Sequence, residues 1–108
     1  MITITNRILL VLAGFFAIGC MSLETTTFTA KGCCPTCELA ILDAVDMDAV
    51  KSASWEQFEE TLTIKFHSKQ ITSENLQMIV AGEGYDTDLF LAPDSIYIAL
   101  PKCCQYRD

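Results

Sequence analysis

The chain has 108 residues, with seven basic against fourteen acidic side chains and a net charge of −7 at pH 7. That length allows one domain. The acidic balance argues against nucleic acid or anionic lipid as a partner and suits a protein that meets cations.

Arg7 is the one positive charge ahead of an apolar run over residues 8–19. Twelve residues are too few for a spanning helix, which needs about 20, so 1–19 reads as a signal peptide. Ala17-Ile18-Gly19-Cys20 resembles a lipobox, although Leu is usual where Ala17 stands. Cleavage there makes Cys20 the lipidation site. The product is an exported lipoprotein, anchored in the membrane and facing the periplasm or cell surface. Ordinary cleavage after Gly19 gives a soluble periplasmic protein instead, and an uncleaved anchor is the third reading. Residues 20–108 are few for a stable core, so a metal or a disulfide would add useful stability.

Six cysteines stand at positions 20, 33, 34, 37, 103 and 104. Export favours a disulfide framework. The spacing disfavours it, because adjacent cysteines close only tiny loops, and a metal or redox site fits better. Its centre is Lys31-Gly32-Cys33-Cys34-Pro35-Thr36-Cys37. Soft thiolates select Cu(I), Zn(II) and similar ions. A helix N-terminus favours the thiolate, which binds metal and attacks disulfides.

Residues 20–24 read as a tether. Residues 25–30 are rich in β-branched side chains and predict a strand. Pro35 suits the first turn of a helix. Cys37, Ala40, Ile41, Ala44 and Val45 form one apolar helical face, so Cys37 lies on the buried edge and Cys34 in the more exposed loop. Residues 50–55 predict a second strand and 56–60 a polar turn around Phe58. Residues 61–67 alternate, with Leu62, Ile64 and Phe66 inward. His67 falls on the polar side and reads as a solvated sheet residue rather than a ligand. Thr72 caps a second helix, with Leu76, Ile79 and Val80 inward and Gly82 at its end. Residues 85–91 predict a fourth strand.

The two halves, 25–55 and 61–91, share one plan. This predicts an α+β, ferredoxin-like βαββαβ sandwich, with a four-stranded antiparallel sheet and two helices on one face. Ile41, Val45, Leu62, Ile64, Phe66, Leu76 and Ile79 are the expected core.

Over 25–91 the sequence resembles the heavy-metal-associated domain of copper chaperones, the periplasmic mercury-binding protein and metal-pumping ATPases. The likeness rests on Cys34-Pro35-Thr36-Cys37, the strand Leu62-Thr63-Ile64-Lys65-Phe66, and Gly84-Tyr85-Asp86. It implies that Cys34 and Cys37 hold one soft metal ion and pass it on by thiolate exchange. It also sets Tyr85 beside the metal loop without ligating; core filler is the other reading of Tyr85. The loop lacks the Met that the family usually carries there, and Cys33 adds a thiol.

The tail, 92–108, lies beyond that domain. Asp94 or Ser95 is placed to cap a helical turn through Ile96, Tyr97 and Leu100, stopped by Pro101. Ile98 adds apolar surface. The tail is long enough to return from the far end of the sheet, at about 3.3 Å per extended residue. Cys103 and Cys104 would then join Cys33, Cys34 and Cys37 in a site of up to five thiols. A loose tail with two exposed cysteines is the alternative.

The expected function is soft-metal binding and carriage without catalysis. Cu(I) is the first choice, then Hg(II); Zn(II) would need more ligands, since it prefers four. The expected partners are the metal ion, a metal-transporting membrane protein and, through the lipid anchor, the membrane. A thiol–disulfide oxidoreductase using the same Cys-Pro-Thr-Cys is the alternative, although a hairpin over 50–67 does not fit a thioredoxin-like fold. A structural lipoprotein with paired cysteines comes third. No set of residues for hydrolytic or phosphoryl chemistry stands out.

Overall fold

A computed structural model describes residues 22–107; the expected signal peptide and Cys20 lie outside them. In chain order the elements are β1 (Leu23–Thr29), α1 (Pro35–Ala44), β2 (Val50–Glu56), β3 (Thr61–His67), α2 (Ser73–Gly82) and a short α3 (Asp94–Tyr97). A 3-10 turn over Lys102–Cys104 follows. Among the described residues no helix is long and apolar enough to cross a membrane.

β3 lies between β1 and β2, antiparallel to both. Its alternation sets the two faces of the sheet. Leu62, Ile64 and Phe66 are buried and Lys65 is exposed. Phe28 and Trp55 both sit opposite Leu62, so the three form one row across the core face. The other face is polar, with Thr27 and Thr63 hydroxyls 3.1 Å apart. β1 starts inside the expected tether, since Leu23 and Glu24 pair with His67 and Phe66.

Both helices pack on the apolar face. Cys37, Ile41 and Val45 of the first apolar stripe are buried with Leu76 and Val80 of the second. Ile79, expected in the core, is only half-buried. At 100° per residue the buried arc of α2 runs through Leu76, Val80, Gln77 and Ala81, which leaves Ile79 on its flank. Buried Gln77 tolerates this because its side-chain carbonyl accepts the Leu89 N–H at 3.0 Å.

Thr72 caps α2 as expected, its hydroxyl accepting the Asn75 N–H at 3.1 Å. Gly82 is the last helical residue, but the stop is made by Gly84. The Tyr85 N–H donates to the Val80 carbonyl and the Gly84 N–H to that of Ala81. This is a Schellman closure, and Gly84 carries the positive φ of +119° that it needs.

The fourth strand, expected over 85–91, is reduced to a single antiparallel bridge, Ala30 to Thr87, on the free edge of β1. The Asp86 carbonyl still accepts the Lys31 N–H at 2.9 Å, but the groups that follow are used elsewhere. Thr87 N–H donates to the Phe90 carbonyl, and Phe90 N–H to the Thr87 hydroxyl, so 87–90 closes as a tight turn. The Asp86 carboxylate takes the Ala92 N–H at 2.7 Å. Leu89 and Leu91, within the expected strand, are exposed.

Candidate metal centre

The loop after β1 is fixed from three sides. Ala30 N–H donates to the Glu60 carbonyl, and Lys31 N–H to that of Asp86. The Trp55 indole N–H donates to the Ala30 carbonyl at 2.9 Å. Gly32 is buried between Trp55 and Cys37; a Cβ there would stand 3.0 Å from an indole carbon and 3.0 Å from the Cys37 Cβ. Trp55 thus anchors the loop that has no Met. Sequence reading assigned Trp55 only to a strand.

Cys34 is the N-cap of α1, in extended conformation, with Pro35 opening the helix. Its carbonyl accepts the Cys37 N–H at 3.0 Å. The first helical turn therefore brings Cys37 Sγ to 3.4 Å from Cys34 Sγ. Cys33 N–H points to Cys37 Sγ at 3.4 Å. Cys37 is buried, Cys34 half-buried and Cys33 exposed.

The tail returns to this loop. Cys104 Sγ is buried and lies 3.7 Å from Cys34 Sγ. Cys33 Sγ reaches the Cys103 carbonyl. Among the described residues, two sets of sulfurs each lie mutually within 4.8 Å, Cys33–Cys34–Cys37 and Cys34–Cys103–Cys104, and Cys34 is common to both.

Three tail residues that sequence reading passed over hold this arrangement. Tyr106 hydroxyl donates to the Gly84 carbonyl and accepts the Asp86 N–H, both at 2.7 Å. Arg107 pairs with Asp86 at 2.6 Å and with Asp94 at 3.1 Å. Its guanidinium also stacks 4.3 Å from the Tyr97 ring centroid. Gln105 donates to the Leu100 carbonyl. The only sequence signal was the presence of Tyr and Arg beyond the cysteines; their partners are about 10–22 residues away. The helical turn of the tail forms, but Pro93 is its N-cap, not Asp94 or Ser95, and Ile98 stays exposed.

The sulfurs differ in acidity. Partial desolvation pushes Cys34 up, but the Cys37 backbone N–H and the thiols of Cys37, Cys103 and Cys104 outweigh it and hold its pKa at about 6. Desolvation and the neighbouring Cys37 and Cys34 sulfurs raise Cys33 to about 11. Burial raises Cys104 strongly, with the Cys37 thiol adding and the Tyr85 hydroxyl opposing. Tyr85 is itself buried beside Cys104, and its hydroxyl is kept protonated by burial and by that sulfur. At neutral pH the thiolate form is therefore favoured at Cys34 and disfavoured at Cys33 and Cys104. A soft cation entering here replaces the thiol protons. His67 lies at the end of β3, opposite Leu23, and belongs to neither sulfur set.

The chain is thus a small α+β domain with a thiol cluster between its first strand and first helix. No protein-family model and no curated protein matches it. Solved structures do. One is oxidized MerP from Ralstonia metallidurans CH34, at 17% identity and TM-score 0.58, covering 62% of this chain and 96% of that one. Another is the CopZ metallochaperone, at 18% identity and TM-score 0.56, covering 59% and 98%. A third is the N-terminal domain of a potential copper-translocating P-type ATPase from Bacillus subtilis in the Cu(I)-loaded state, at 24% and 0.57, covering 61% and 85%. The chain has the ferredoxin-like fold of these proteins, as the resemblance implied.

Proposed function

We propose that the chain binds a soft metal ion through the Cys34 and Cys37 thiolates and hands it to a partner, without catalysing a reaction. The observation that carries this is the 3.4 Å separation of the two sulfurs, one a low-pKa thiolate and the other buried on the first helical turn. Cu(I) is the first choice, because a site of sulfur donors alone suits it; Hg(II) is the alternative. In this reading Cys33 takes the ion from Cys34 and presents it to an incoming thiolate, which its exposure supports.

Handover to a metal-transporting membrane protein is supported by the neighbours, which include a metallochaperone and the N-terminal domain of a potential copper-translocating ATPase. We also propose export and lipidation at Cys20, tested by labelling cells with a radioactive fatty acid; a protein that stays unlabelled when Cys20 is intact contradicts it.

Competitive Cu(I) titration tests the binding reading. Cys34→Ser or Cys37→Ser removes tight binding, because a hydroxyl is too hard a donor, while His67→Ala leaves it unchanged. A double Cys34→Ser, Cys37→Ser variant that titrates like the parent contradicts the reading. The lowered Cys34 pKa also favours thiol–disulfide exchange as a second reading. Turnover of a disulfide substrate by the metal-free protein would select it.

A further inference from the structure

We propose that Cys34, Cys103 and Cys104 form a second soft-metal position, so that Cys34 bridges two Cu(I) ions held by five thiolates. This rests on the Cys34–Cys37 reading above. Thiolate–metal bonds of about 2.3 Å put the sulfurs of a three-coordinate site about 4 Å apart. Both sulfur triads have that scale, with all separations under 4.8 Å and Cys34–Cys37 and Cys34–Cys104 at 3.4 and 3.7 Å. Two three-coordinate ions need six donor positions. Five sulfurs supply them only if one is shared, and Cys34 is the residue common to both triads.

The tail is built to hold this geometry rather than to visit it. Tyr106 spans Gly84 and Asp86, Arg107 binds Asp86, and Cys104 is fully buried against Cys37 and Tyr85. Cys33 and Cys103 stay exposed at the rim, one on each triad, which gives each ion its own thiol facing solvent. No electron moves in the binding. Each sulfur that is still protonated gives its proton to solvent as it ligates, Cys34 being the one most readily a thiolate beforehand, and the copper stays Cu(I).

The test is native mass spectrometry of residues 20–108, titrated with Cu(I) under reducing conditions. The parent monomer binds two ions. Cys103→Ser, Cys104→Ser binds one. Cys103→Ser alone changes only an exposed side chain, so it cannot act by unfolding the core, and it lowers occupancy of the second position. Cys34→Ser loses both. A parent that binds a single ion, or a tail variant that still binds two, overturns the proposal while leaving the Cys34–Cys37 reading in place. A parent that binds none overturns both.

Discussion

Leu100 occupies the space that a side chain on Gly84 would need. Its Cδ2 lies 2.9 Å and its Cδ1 3.0 Å from where a Cβ would stand. Gly84 also closes α2 at φ +119°. One glycine therefore ends a helix of the domain and seats the tail that follows it.

Gly84→Ala meets both constraints at once. The unfavourable backbone alone costs about 1–3 kcal/mol, and Leu100 must move as well. Urea unfolding of the metal-free protein should show a loss at the upper part of that range. A loss under about 0.5 kcal/mol, within the range of an ordinary surface change, would contradict this role.

Asp86 and Arg107 predict a pH dependence of folding. Burial pushes the Asp86 carboxyl up, but the Arg107 guanidinium and the Ala92 N–H outweigh it and hold it below its ordinary 3.8. A folded pKa below the unfolded one stabilises the fold at every pH above the unfolded value. That contribution fades as pH drops below about 3.8 through the folded value. Asp86→Asn should be less stable than the parent at pH 7 and should show a shallower acid limb below pH ~4. Parallel acid limbs would contradict the pairing.

Ile64 lies at the centre of β3 and is fully buried. Ile64→Ala should destabilise by about 2–5 kcal/mol, the range for truncating a buried aliphatic. Equilibrium denaturation measures it, and a cost under about 1 kcal/mol would place Ile64 outside the core.

The elements that were legible in the sequence are those with local signals. The alternation of 61–67, the helical stripe from Cys37 to Val45 and the Thr72 cap all act within one or two turns of chain. The loop cysteines were legible for the same reason, since three thiols within five residues need no partner to be noticed. The fourth strand expected over 85–91 is not legible locally: Leu89 and Leu91 are exposed, while the Asp86 and Thr87 side chains are taken up by the tail and by a tight turn. Ile79 misled because the helix is rotated toward Gln77, whose partner, the Leu89 N–H, lies in that same turn. The anchors of the site, Trp55, Tyr106 and Arg107, act on residues distant in sequence, and nothing in their neighbours announces it.

The most direct test of the central claim is X-ray absorption at the copper edge on residues 20–108 carrying one equivalent of Cu(I). Binding through Cys34 and Cys37 predicts a first shell of sulfur only, at about 2.3 Å, and its loss in Cys34→Ser, Cys37→Ser. A first shell containing nitrogen or oxygen donors, or an unchanged sulfur shell in that double variant, would contradict it.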